Sequence, residues 1–306
     1  MAFNLINLMN EWLFLLLTFL QLYILAAIYV LKEFNRKLQL FGSVRHLSFD
    51  DDDLPKRLDG QLAVITGGSR GIGLEAAKVL IKKGCHVIIA SSARKEVTDK
   101  IIEQVEREID TEFSKNSTRQ KRGKLEIWHL DLTSMNSVVK FHEMFLGSGY
   151  NKLNFLINNA AIMFGPKKIT QDGFESHFQV NYLCHCLLIF LMLPIMIKTA
   201  KLTGIRSRIV NVSSSTHFAR NLQLDDLQSI GKYSPFHSYA ASKLAQIMFT
   251  YQFTKWLRRN QLDQFVTCNS LHPGVAKTEL YENVWWFKIA PFIAHILMRV
   301  IKLIII

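Results

Sequence analysis

Tyr239 and Lys243 stand four residues apart in FHSYAASKLA, a spacing that puts both side chains on one face of a helix, one turn apart. A free phenol loses its proton near pH 10 and is a poor base at neutrality. A fixed ammonium beside it favours the phenolate and brings that value down, so the pair is a means of exchanging protons near pH 7. Most Y-x-x-x-K pairs are ordinary helix-surface residues. The weight of this one comes from TGGSRGIG (Thr66–Gly73), NNAA (Asn158–Ala161) and NVSSS (Asn211–Ser215) upstream of it.

The glycine run follows a short β-rich apolar stretch, Leu62–Thr66, and precedes a helical pattern with Leu74, Ala77, Leu80 and Ile81 on one side. Strand, glycine turn and helix together make the setting of a dinucleotide site. Gly67 permits the tight turn, Gly71 lets backbone approach a pyrophosphate, and Gly73 allows close packing of the helix. The spacing is G-x-x-x-G-x-G, and the plain alternative is a glycine-rich turn that holds nothing. Further apolar runs at HVIIA, KLEIWHL, NFLINN, RIVNVS and FVTCNSLH alternate with helical stretches, as parallel βαβ units require. They predict an α/β, Rossmann-type doubly wound parallel sheet of about six strands with helices on both faces, and a ligand at the carboxyl ends of those strands.

TGGSRGIG, Asp131-Leu132, NNAA, Asn181, NVSSS, YAASK and HPGVAKT occur in the order and rough spacing of the short-chain dehydrogenases/reductases, and the resemblance covers about Gly60 to Glu282. NYLCHCLL and PGVAKTELYENVWW resemble its retinol-dehydrogenase-like branch most. The resemblance implies that Tyr239 is the general acid/base, that Lys243 lowers its pKa and bonds the nicotinamide ribose, that Ser214 bonds the substrate oxygen, and that Asn181 supports a water-mediated relay to Lys243. It also implies cofactor contacts from Gly67, Ser69, Arg70, Gly71, Ile72, Gly73, Asp131, Asn158, Ala160, Pro273, Gly274, Val275 and Thr278. Two of these have ordinary alternatives: Asp131 as the N-cap of the helix after it, and Asn181 as a helix-interior polar residue bonded to backbone. Ala161 and Cys184 depart from the family's usual glycines, and each is expected to narrow a site slightly.

An NAD enzyme of this kind needs a carboxylate after the second strand to bond the ribose 2′-hydroxyl. Here Ser91, Ser92, Ala93, Arg94 and Lys95 follow that strand, and Arg70 sits in the glycine loop. Charge therefore favours NADP(H) over NAD(H), with Arg70 and Arg94 as the 2′-phosphate partners; the alternative for Arg94 is a solvated helix start.

The 306 residues carry a formal net charge of +12, but the basic residues are scattered and no nucleic-acid recognition motif accompanies them, so no nucleic-acid partner is expected. Four cysteines lack metal or disulfide spacing, which fits a reducing compartment. Trp12–Leu31 is a run of twenty residues without a charge, about 30 Å as a helix and enough to span a bilayer. Lys32, Arg36 and Lys37 follow it, which places the rest of the chain on the cytosolic side. The expected layout is a membrane anchor at 1–32, a linker at 33–59, the dinucleotide-binding domain at 60–283 and an apolar tail at 284–306. The resemblance implies a final helix and parallel strand that the tail does not supply, so the domain is expected to be C-terminally truncated. Met163, Phe164, Trp285, Trp286 and Phe287 are candidates for a greasy entrance. The expected function is an NADP(H)-dependent oxidoreductase of the endoplasmic reticulum membrane, facing the cytosol, that interconverts a lipophilic alcohol of polyprenol, retinol or steroid type and its aldehyde or ketone. The resemblance also implies a homodimer through the helices that carry Asn181 and Tyr239. The alternative is a catalytically inactive dinucleotide-binding membrane scaffold or truncated isoform.

Overall fold

In the computed structural model, residues 57–115, 121–219, 222–231 and 233–274 are described. Each apolar run of the sequence becomes a strand: β1 (Leu62–Thr66), β2 (His86–Ser91), β3 (Leu125–His129), β4 (Phe155–Asn158), β5 (Ser207–Val212) and β6 (Val266–Leu271). They form one parallel sheet in the order β3-β2-β1-β4-β5-β6, with the chain reversing its direction of travel between β1 and β4. That reversal opens a crevice at the carboxyl ends of these two strands, where open α/β sheets bind ligands.

Helices α1 (Gly71–Lys82), α2 (Lys95–Lys115), α3 (Met135–Gly147) and α5 (Pro235–Arg259), together with α4 (Ser176–Thr203), cover the sheet on both sides. Alternation along the strands decides which side each residue serves. Ala63, Ile65, Val87 and Ile89 pack with Ala77, Ile81, Val105 and Ile109 of α1 and α2. Leu62, Val64, Ile88 and Ala90 face the other way, into a larger core with Phe141 and Phe145 of α3, Leu188 and Met192 of α4, and Phe253 and Leu257 of α5. Burial on both faces explains why the strands read as continuous apolar runs.

The helix ends carry local signals. Ser134 caps α3 by accepting from the Ser137 amide at 3.3 Å, Ser234 caps α5 with Pro235 behind it, and Gly204 closes Cys184–Thr203 at φ 68°. Helix α4 is long and apolar enough to cross a membrane, yet half of its most apolar stretch is buried inside the protein, where Leu188, Met192 and Met196 pack on the sheet. It is the central core helix of one layer. The expected anchor around Trp12–Leu31, the tail at 284–306 and the Trp285–Phe287 entrance lie outside the described residues.

Leu156, in the middle of β4, is fully buried within the larger core. Leu156→Ala should lower unfolding stability by about 2–5 kcal/mol in urea titration, while Val79→Ala, on the exposed side of α1 at 52% exposure, should change it by no more than about 0.5 kcal/mol.

Candidate active site

Three polar residues stand at one level at or next to the carboxyl ends of three adjacent strands: Thr66 opposite Asn158, and Asn158 opposite Asn211. All three are buried, so their polar atoms need partners within the protein. Thr66 Oγ1 accepts the backbone N–H groups of Asn159 and Ala160, each at 3.0 Å, and lies 2.9 Å from His185 Nε2. With the Thr66 oxygen already accepting twice, its hydroxyl proton goes to Nε2, and Nδ1–H of the same ring donates to the Asn181 carbonyl at 3.0 Å. Asn158 Nδ2 donates to Asn211 Oδ1 at 2.8 Å, and Asn211 Nδ2 donates to Thr250 Oγ1 at 2.9 Å. Thr250 in turn donates to the Gln246 carbonyl at 2.7 Å. A connected polar chain thus runs from the sheet edge into helix α5.

Above this row lies a cleft of about 280 Å³ lined by Gly67, Ser69, Arg70, Gly71, Ile72, Asp131 and Ala160, among others. Gly67 has φ 64° and Gly71 φ 56°, the left-handed region that glycine enters at no steric cost. A Cβ on Gly67 would stand 2.7 Å from the Ala160 Cα, and one on Gly73 would stand 2.5 Å from Asn159 Nδ2. Asn159 Nδ2 spans the turn, donating to the carbonyls of Thr66 and Gly67 at 3.0 and 3.1 Å. The side chain of Arg70, at the N-cap of α1, makes no capping hydrogen bond, and the first-turn N–H groups with the positive end of the helix dipole suit an anion. A loop pressed flat by its glycines, an uncapped helix start and a neighbouring cleft fit the pyrophosphate and riboses of a dinucleotide.

Tyr239 and Lys243 are both buried on α5, and Lys243 Nζ lies 5.8 Å from the centre of the Tyr239 ring. The ammonium donates to the Val212 carbonyl at 2.8 Å and to Gln246 Oε1 at 3.1 Å. Its complete burial pushes the lysine down to about 7, because a dry site disfavours the charged form. Ser213 is buried and its hydroxyl donates to the Lys243 carbonyl at 2.9 Å; the half-buried Ser214 instead accepts from the Thr216 amide at 3.2 Å. Asn181 sits in a π-helical turn, Gln179–Leu183, within α4. Its amide is occupied by protein: Oδ1 accepts from the Ile162 N–H at 2.9 Å, and Nδ2 donates to the Ile162 carbonyl at 3.1 Å and to Ser242 Oγ at 2.9 Å.

Several expected positions fall elsewhere. Asn158 does not line the cleft; a one-residue step at a strand end turns its side chain into the core and Asn159 toward the glycine turn. Arg94 lies exposed at the start of α2, outside the cleft-lining set, while Arg70 is within it. Asp131 lines the cleft and its Oδ1 accepts from the Thr133 amide at 2.8 Å; the cap of α3 is Ser134 instead. Ala161 borders the cleft, whereas Cys184 lies in the core, where burial pushes its thiol up to about 12. Cys184 therefore narrows no site. Pro273 and Gly274 are exposed just beyond β6, and Val275 and Thr278 lie outside the described residues. Asn159, His185 and Gln246 were not expected. The second asparagine of NNAA and a glutamine three residues after Lys243 were the available signals.

The family model of the short chain dehydrogenases matches residues 61–286. Human polyprenol dehydrogenase is 40% identical over 235 residues, covering 76% of this chain and 65% of the relative. Human retinol dehydrogenase 12 is 36% identical over 242 residues, covering 78% and 70%. The chain thus spans about two thirds of the length of these relatives. A solved structure of an uncharacterized protein from Mycobacterium paratuberculosis superposes with a TM-score of 0.56 at 31% identity, covering 76% of this chain and 74% of that one. By its match across most of the sheet and by these relatives, the chain belongs to the short chain dehydrogenase family.

Proposed function

We propose that this protein is an NADP(H)-dependent oxidoreductase that interconverts a lipophilic alcohol and its aldehyde or ketone, working from the cytosolic face of the endoplasmic reticulum membrane. The observation that carries the reading is the buried Tyr239–Lys243 pair on α5, which Ser242 and Asn181 tie to Ile162 in the lining of the glycine-loop cleft. The dinucleotide, when bound, supplies or accepts the hydride. The Tyr239 phenol exchanges the proton of the substrate oxygen, and Ser214 bonds that oxygen. Lys243 stands near the phenol with its own proton affinity lowered by burial to about 7, and in its charged form it favours the phenolate. Asn181 holds Ile162 and Ser242 in place, and Ser242 Oγ donates to the Tyr239 carbonyl at 2.7 Å. Its contribution is thus the placement of α5 against the loop after β4, and its backbone carbonyl is shared with His185. Arg70 is the proposed 2′-phosphate partner, and the glycine loop with α1 holds the pyrophosphate. The names of the relatives, polyprenol and retinol dehydrogenases, support an apolar alcohol as substrate, with the steroid class as a further candidate. The run Trp12–Leu31 supports a membrane setting.

Titration of detergent-solubilised protein with NADPH and NADH should give saturable binding, tighter for NADPH, and Arg70→Ala should weaken NADPH by about tenfold while leaving NADH nearly unchanged. Equal affinities in the wild type would remove the NADP(H) assignment. Tyr239→Phe should lower turnover by about 10²- to 10⁴-fold with cofactor affinity kept; unaltered turnover would exclude the phenol, and a wild type that binds cofactor but turns nothing over would support the scaffold alternative. Lys243 also leaves a mark on stability. Between its folded value of about 7 and the ordinary lysine value near 10.4, the unfolded chain holds a proton that the folded chain lacks, so stability rises with pH there by up to about 1.4 kcal/mol per unit. Wild type should therefore gain on Lys243→Met as urea unfolding is repeated from pH 7 to pH 10, and a constant difference would show that the lysine is not desolvated.

A further inference from the structure

The loop after β4 carries one residue in a costly conformation. Phe164 has φ 56°, a region that bulky residues enter only when the surroundings hold them there. Both ends of its segment are clamped. On one side the Asn181 amide bonds both the N–H and the carbonyl of Ile162. On the other, the Gly165 N–H donates to His177 Nε2 at 3.3 Å, and the Tyr233 hydroxyl donates to the Gly165 carbonyl at 2.8 Å. His177 is itself fixed by a buried partner: its Nδ1 lies 2.8 Å from Glu175 Oε1, the two side chains being 0% and 2% exposed, and Glu175 also accepts from the Phe178 amide at 2.9 Å. This buried pair takes no part in the proton chemistry above.

The clamp sets the Phe164 ring. It stands edge-to-face to Tyr239 with centroids 5.3 Å apart, and against Phe236 at 4.6 Å, so Phe236 blocks it from swinging back along α5. A carbon whose oxygen meets the Tyr239 phenol bears two substituents besides that oxygen and the hydrogen lost on oxidation. In a primary alcohol these are one carbon and one hydrogen; in a secondary alcohol both are carbon. The Phe164 ring packs against one side of the Tyr239 ring, so a carbon substituent on that side would meet it where a hydrogen would take less space.

Resting on the oxidoreductase reading, we infer that Phe164, clamped by Asn181 and by the Glu175–His177 pair, is a specificity-determining residue that selects linear primary alcohols and their aldehydes over ring-borne secondary alcohols and ketones. The test compares farnesol, a linear primary alcohol, with androsterone, a ring-borne secondary one, on the full chain in detergent at saturating NADP⁺. Equilibrium binding by calorimetry and kcat/KM are both measured for wild type, Phe164→Ala and Phe164→Gly. Glycine adopts φ 56° freely, so the second variant removes the ring without disturbing the loop. Wild type should prefer farnesol, and both variants should shift the preference toward androsterone by about 10- to 100-fold, the scale of a filled or emptied apolar subsite, with NADP⁺ affinity unchanged. A preference that neither variant moves overturns the inference and leaves the oxidoreductase reading standing. Wild-type protein that binds NADP⁺ but neither alcohol overturns both.

Discussion

The site depends on a row of hydrogen bonds across the carboxyl end of the sheet. Parallel strands present every residue at one level side by side, and register brings Thr66, Asn158 and Asn211 to the same level at the point where the strand order reverses. None of the three reaches water, so each must find its partners in neighbouring elements. Thr66 finds them in the backbone after β4 and in His185 of α4. Asn158 Nδ2 finds one in Asn211, whose own Nδ2 reaches Thr250 of α5. One row thus fixes the loop after β4, the π-helical turn of α4 and helix α5 relative to the glycine loop. A one-residue slip of register would invert every one of these side chains and leave their buried polar atoms without these partners, which opposes it.

Lys243 is the costly member of the arrangement. A fully buried ammonium without a carboxylate partner among the described residues loses its hydration and recovers only what the Val212 carbonyl and Gln246 amide return. The protein tolerates the cost because α5 is held independently, through Phe253 and Leu257 in the core and the Ser234 cap at its start. The same cost is useful. A lysine brought down to about 7 beside a buried tyrosine can gain or lose its own proton near neutrality.

Much of the fold was legible in the sequence because parallel strands buried on both faces leave uninterrupted apolar runs, and because a glycine loop between strand and helix has few other uses. The Tyr239–Lys243 pair and the cleft residues Gly67, Arg70 and Asp131 were legible for the same reason: spacing along one element fixes them. What escaped was set by contacts between elements distant in sequence. Asn158 and Asn159 are neighbours of the same type, and only the strand's pleat sends one inward and the other to the glycine turn. Arg94 and Arg70 carry the same charge, and the path of the chain out of β2 decides which one borders the cleft. The π-helical turn at Asn181 leaves no mark in composition, since its bonds go to Ile162, nineteen residues away, and to Ser242, sixty-one away.

The same distinction separates chemistry from selectivity at this site. The proposed proton exchange rests on α5 and the ends of β1, β4 and β5, where Tyr239, Lys243, Thr66, Asn158 and Asn211 are buried. The proposed selectivity falls to the loop after β4, whose stretch from Ile162 to Gly165 is held by side chains of other elements at both ends, through Asn181 at Ile162 and through His177 and Tyr233 at Gly165. A loop held in this way keeps an unfavourable φ at Phe164 that a free segment would relax. The strain is thus evidence that the position of that ring, and not merely its apolar character, is what the clamps maintain. Because Asn181 bonds both Ile162 and Ser242, the proposed substrate side and the placement of the Tyr239 phenol are tied to one side chain.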